Sequence, residues 1–251
     1  MIRMSIKLDS IVLHRPVNVE VAFPSVLSFK KKLKVVWALH PAFNDATIFF
    51  ERLNALDIVE SKNVVFIAPS LNNSYFVNSE LDNVGDFLDS ELVHYLRGIL
   101  PISSQKADNV CLGISMGAYG ALSWGLRCQD YFNRLILISG YYDNSLTPDK
   151  RLNDNRRYAM VAKLTHPYME YALFDKIGNL KDNTNLRKLI DDYDSKNPVT
   201  IDFYCGDDDV IAFEQTQYYF NLIKNKDIIT SCTTICGEHN VKTWRDIFSI
   251  L

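Results

Sequence analysis

Gly113-Ile114-Ser115-Met116-Gly117 is the stretch on which the reading of this chain turns. Val110, Cys111 and Leu112 precede it and suit a buried strand. Ala118 to Leu126 follow it and are mostly small or apolar, which suits a helix. A Gly-x-Ser-x-Gly between strand and helix is the pattern of a nucleophile elbow. The spacing has a physical reason. A serine on a tight, strained turn projects its hydroxyl from the sheet edge. Side chains at positions 113 and 117 would collide where strand and helix approach, and glycine removes them. A chance match in a loop would lack the strand before and the small-residue helix after.

Outward from the elbow, buried strands alternate with helices. Toward the N-terminus, Val35 to Leu39 is a continuous apolar run, as expected of a strand covered on both faces. A helix is expected over Ala46 to Leu56, and a second buried strand over Asn63 to Ala68. Residues 70–84 are polar and aromatic and read as a surface loop. From Asp86 a helical period places Leu88, Leu92, Tyr95, Leu96 and Ile99 on one face. Two opening strands are expected at 5–13 and 17–23.

Beyond the elbow come a strand at Leu135 to Ile138 and then a charged, tyrosine-bearing stretch, 141–198. That stretch carries Tyr158, His166, Tyr168, Tyr171 and Phe174, and reads as a helical insertion or cap over the sheet edge. Strands follow at Thr200 to Cys205 and Ile228 to Ile235. A helix over Ala212 to Lys224 would bury Phe213, Phe220 and Ile223, and a last helix closes the chain over Val241 to Leu251. The pattern implies an α/β-hydrolase fold: one domain over 1–251, with a mostly parallel central sheet and helices on both faces.

Composition sets limits on function. The chain has 251 residues, 47% hydrophobic and 23% charged, which is long enough for a full core. With 27 basic and 30 acidic side chains the net charge is −3, which gives no electrostatic case for nucleic acid. No apolar run approaches the ~18 residues of a membrane span. Met1 to Lys7 has no apolar signal core. The five cysteines are odd in number and lack clear metal-ligand spacing, so they read as reduced thiols of a cytoplasmic protein. Neither a metal nor a cofactor is implied. A homo-oligomer is compatible with the sequence.

A serine nucleophile needs a base, and the base needs an orienting acid. In this fold they follow the serine in the order acid, then histidine. After the penultimate strand comes Cys205-Gly206-Asp207-Asp208-Asp209, and after the last comes Gly237-Glu238-His239-Asn240. Of the five histidines, His14, His94 and His166 lie between early strands, in mid-helix and in the insertion. His40 lies where an oxyanion loop belongs. His239 has the right order and topology. Asp207 and Asp209 both remain candidates for the acid. The oxyanion hole needs backbone N–H groups. Met116 would supply one, and Ala42 or Phe43 the other, because Pro41 has no N–H.

Ser115-Met116-Gly117-Ala118-Tyr119-Gly120-Ala121 resembles the Ser-Met-Gly-Gly-Tyr-Gly-Ala segment of the esterase D-like hydrolases. That group includes the tributyrin esterases and the S-formylglutathione hydrolases. The Cys205 to Asp209 loop is similar to their Cys-Gly-x-x-Asp, whose last residue is the triad acid, so the resemblance selects Asp209. Gly237 to Trp244 is similar to their Gly-x-His-Asp-Trp-x-x-Trp, with the histidine at His239. The departures are His40-Pro41 in place of His-Gly, Ala118 for glycine, Asn240 for aspartate and Val241 for tryptophan. The resemblance implies a serine carboxylesterase that cleaves short-chain acyl esters without a cofactor. An acyltransferase or thioesterase with the same three residues, or a silent binding protein, stays open as an alternative.

Overall fold

The computed structural model of the chain describes residues 1–25, 31–143, 168, 172–174, 181–182, 184–226 and 228–251. One eight-stranded sheet runs through them in the order β1-β2-β4-β3-β5-β6-β7-β8. β1 (Ile2–Ser10) and β2 (Arg15–Phe23) form an antiparallel hairpin, and β2 pairs antiparallel with β4 (Val64–Pro69). β4, β3 (Lys34–Leu39), β5 (Asn109–Ile114), β6 (Arg134–Ile138), β7 (Thr200–Gly206) and β8 (Thr230–Ile235) are mutually parallel. Their C-terminal ends therefore share one sheet edge.

The continuous apolar runs make two cores. Val35, Trp37 and Leu39 face one way, into a core with Tyr119, Trp124 and Leu96. Val36 and Ala38 face the other, toward Phe49, Val59 and Trp244. Alternate residues of each inner strand thus bury on opposite faces, which is why these strands show no polar alternation. The first face carries α5 (Met116–Arg127), the helix Leu186–Asp191 and the helix Phe213–Lys224. The second carries α1 (Ile48–Glu51), α2 (Ala55–Lys62) and the closing helix Val241–Phe248.

Several local expectations are corrected. The single helix over Ala46 to Leu56 is two short ones. Asn54 adopts a left-handed conformation (φ 55°), which asparagine tolerates, and the chain turns there. The segment 70–84 is a surface loop only in part: Asn72, Glu80, Leu81 and Asn83 are exposed, but its aromatic stretch turns inward. Leu71, Tyr75, Phe76 and Val77 are fully buried, because the space over Gly120 takes the Phe76 ring and Tyr75 stacks edge-on against Tyr119 at 5.5 Å. The next helix starts at α3 (Val84–Asp86), passes through a π-helical turn (Phe87–Leu92) and continues as α4 (Val93–Ile99). The wide turn breaks the 3.6-residue period. Phe87, Leu88, Leu92 and Leu96 are buried, while Tyr95 and Ile99 face solvent. On the helix Phe213–Lys224, Ile223 is buried, whereas Phe213 and Phe220 are only partly covered and Tyr219 takes the core position. The hairpin turn is fixed by Glu91, whose carboxylate accepts the Ile11 and Val12 N–H groups and the Ser10 hydroxyl. Most of the expected insertion, with Tyr158, His166 and Tyr171, lies outside the described residues.

The glycines at the elbow are fixed by contact distance. A Cβ on Gly117 would stand 2.0 Å from the Leu39 carbonyl oxygen, and one on Gly113 2.0 Å from the Gly117 carbonyl oxygen. Backbone cannot yield as a side chain can. Gly117→Ala is therefore expected to cost about 3 kcal/mol, the upper end of overpacking, lowering Tm by about 6–12 °C. Gly98 in α4 has open space around it. Gly98→Ala should instead add about 0.5–1 kcal/mol. Thermal unfolding of the two variants checks both signs.

Candidate active site

Ser115 sits between β5 and α5 with φ 54° and ψ −115°, a conformation costly for a residue with a side chain. Its neighbours hold it there. The Ser115 N–H donates to Ile138 at the end of β6 (2.9 Å), and its carbonyl accepts the N–H groups of Ala118 (3.0 Å) and Tyr141 (3.2 Å). The side chain is nearly buried.

The loops after β7 and β8 bring the other two side chains to it. They can meet because Gly206 and Gly237 pack backbone to backbone: a Cβ on Gly206 would lie 2.1 Å from the Gly237 carbonyl oxygen. His239 Nε2 lies 3.0 Å from Ser115 Oγ. His239 Nδ1 lies 2.9 and 3.0 Å from the two Asp209 oxygens. An ionised carboxylate can only accept, so Nδ1 carries the proton and Nε2 presents its lone pair to the serine hydroxyl. The Trp244 ring stands edge-on to the imidazole at 5.2 Å. Asn240, whose side chain accepts the Thr243 N–H, caps the helix that carries Trp244.

The neighbouring aspartates divide by burial. Asp209 is fully buried and also accepts the N–H groups of Ile211 (3.1 Å) and Ala212 (2.8 Å). Asp207 is exposed, and its carboxylate takes the Gly237 N–H (3.0 Å), tying the two loops together. Burial alone would raise the Asp209 carboxyl. Attraction to His239 and the hydrogen bonds from His239 and the Ala212 amide outweigh it, so the group is held below the usual carboxylate range.

The loop after β3 faces the elbow. His40 is buried, donates from Nδ1 to the Pro41 carbonyl (2.9 Å) and accepts the Leu71 N–H at Nε2 (3.1 Å). Burial pushes its imidazole below the usual value, so the ring is a neutral brace between the loops after β3 and β4. Of the two amides the sequence leaves open, that of Phe43 is engaged: it donates to Asn73 Oδ1 at 2.8 Å. The amides of Ala42 and Met116 have no hydrogen-bond partner among the described residues. Asn73 carries no motif that would mark it in the sequence. Its one signal is position, since it follows a strand that ends at the same sheet edge. His14 and His94 lie on exposed surface, and His166 lies outside the described residues. Among the described residues no group of histidine, cysteine and acidic side chains has the arrangement of a metal site.

A serine on a strained strand-to-helix turn, at the C-terminal edge of a parallel sheet and in contact with a histidine from the loop after the last strand, defines a serine hydrolase of the α/β-hydrolase fold. The model of the family described as "Putative esterase" matches residues 10–248, and the chain belongs to that family of carboxylic ester hydrolases. It is 26% identical over 220 residues to an acetyl esterase of Caldicellulosiruptor saccharolyticus, covering 85% of this chain and 80% of the relative. Among solved structures it matches fluorophosphonate-binding serine hydrolase F of Staphylococcus aureus with TM-score 0.81 at 19% identity, over 99% of this chain and 96% of that one. An S-formylglutathione hydrolase of the same organism matches with TM-score 0.78 at 20% identity, over the same shares. At these identities the structural matches speak for the fold.

The depressed Asp209 carboxyl fixes a sign for stability against pH. It binds its proton less tightly folded than unfolded. Its contribution is therefore complete above the unfolded value of about 4 and is lost as pH falls through the folded one. In urea unfolding between about pH 6 and pH 3, the parent should lose more stability than Asp209→Asn. Equal slopes would contradict this assignment.

Proposed function

We propose that the protein is a serine carboxylesterase that hydrolyses short-chain acyl esters through Ser115, His239 and Asp209 and an acyl-enzyme intermediate. The observation that carries the proposal is the continuous hydrogen-bonded chain from Ser115 Oγ through His239 to the buried Asp209. His239 Nε2 takes the hydroxyl proton as Ser115 Oγ attacks the ester carbonyl. Asp209 holds the tautomer and stabilises the imidazolium that forms. The Met116 and Ala42 amides, which have no other partner among the described residues, donate to the oxyanion. His239 then returns the proton to the departing alcohol. A water, deprotonated by His239, attacks the acyl carbonyl and frees the carboxylic acid and Ser115. No cofactor enters.

Two observations support the short acyl chain: the family resemblance carried by the motifs, and the relative described as an acetyl esterase. The partner is a small-molecule ester. Among the described residues no helix is long and apolar enough to cross a membrane. All five cysteines are free, with Cys111 and Cys205 buried, Cys128 and Cys232 partly buried and Cys236 exposed, and unpaired thiols favour a reducing, cytoplasmic setting.

The test is labelling with a fluorophosphonate probe together with hydrolysis of acetyl, butyryl and octanoyl esters. The parent should label at Ser115 and prefer the shorter esters. Ser115→Ala should abolish labelling and lower kcat by about 10⁴-fold or more. Asp209→Asn should cost about 10⁴-fold, and Asp207→Asn less than about tenfold, because its carboxylate only ties loops. Folded parent that resists the probe would sink the proposal.

A further inference from the structure

Phe43 is an unusual residue in an unusual place. It has a positive φ of 60°, in the left-handed region that an aromatic side chain rarely adopts. Its amide is locked by Asn73, and the residue is 52% exposed. A lone exposed aromatic needs no explanation. This one is held at both ends. Its backbone is pinned, and its ring packs against Tyr168, itself 46% exposed, with centroids 6.1 Å apart and planes at 73°. Phe43 also lies on the loop that leaves the elbow contact after β3. Phe43 is one residue beyond Ala42, in the loop whose start lies so near the elbow that a Cβ on Gly117 would meet the Leu39 and His40 carbonyl oxygens at 2.0 and 2.8 Å.

Tyr75 and Phe76 share this backbone conformation (φ 53° and 59°) but are buried in the core, whereas the strain at Phe43 holds an exposed side chain, and backbone strain collects at ligand-binding sites. Resting on the serine-esterase reading above, we propose that Phe43 and Tyr168 form an aromatic clamp for an apolar or aryl substituent of the ester. Two rings packed edge to face leave apolar surface for a third group to stack on. Binding energy from that non-reacting part of the substrate would set which esters are chosen. The substituent sits on either the alcohol or the acyl side of the scissile bond, and the clamp chemistry is the same for both.

Two isomeric esters separate the sides: benzyl acetate carries its ring on the alcohol, and methyl phenylacetate carries it on the acyl group. Methyl acetate is the reference. In the parent, kcat/KM for one isomer should exceed that for methyl acetate. Phe43→Ala and Tyr168→Ala should each cut this ratio about fivefold to tenfold, mainly through KM, as loss of one aromatic contact implies. Tyr168→Phe should keep the ratio, since the ring and not the hydroxyl makes the contact. The isomer whose ratio moves identifies the side. Phe43→Ala also touches the loop backbone, so Tyr168→Ala is the deciding variant. If its ratio for both isomers stays within about twofold of the parent's, the clamp is overturned while fluorophosphonate labelling leaves the serine standing. Folded parent that does not label would overturn the serine reading, and the clamp with it.

Discussion

The site depends first on a contact between two pieces of backbone. Gly117 of α5 lies against the carbonyl groups at the end of β3, with no room for even one carbon between them. That contact presses the elbow onto the loop His40 to Phe43. Met116 directly precedes Gly117 and Ala42 follows that stretch of β3, and the amides of both have no hydrogen-bond partner among the described residues. Parallel pairing of β3 with β5 supplies the alignment, since Leu39 is in register with Gly113, at the start of the elbow. The strained φ of Ser115 follows from the same geometry. The chain must turn from strand to helix within one residue, and bonds to Ile138 and Tyr141 hold the turn.

A similar backbone contact organises the far side. Gly206 against Gly237 joins the loops that carry Asp209 and His239. Here two aspartates, one residue apart, do different work. Asp207, in water, ties the loops together, and Asp209, in the interior, faces the imidazole. Burying a carboxylate is costly unless it is fully bonded. The Ile211 and Ala212 amides and His239 supply those bonds, and the helix beginning at Phe213 places two of the donors.

Much of this was legible in the sequence, for identifiable reasons. Strands buried on both faces appear as unbroken apolar runs, and Val35 to Leu39 and Leu135 to Ile138 could hardly be anything else. The elbow and the order of acid and histidine are local patterns, so they could be found without knowing the packing. What escaped depended on distant partners. The segment 70–83 looks polar, yet its aromatic residues fill space that Gly120 leaves open from another element. A π-helical turn within the helix after α2 moved Tyr95 and Ile99 off the buried face. The choice between Asp207 and Asp209 rested on family resemblance, because burial is not written in three consecutive aspartates. The engagement of the Phe43 amide depends on Asn73, thirty residues away.

Pro41 looks at first like a flaw, since it replaces a flexible residue beside the amide of Ala42. Its ring restricts φ at position 41 and also limits the backbone of His40. The loop is then stiff by covalent structure before any side chain packs against it. Less entropy is lost in ordering it, and little is left for a substrate to induce. His40 adds a cross-brace to a loop that is already stiff, joining its own neighbour's carbonyl to Leu71. A more flexible residue would let this loop adapt to different substrates. With proline, the loop offers one arrangement, and selectivity falls to the groups around it.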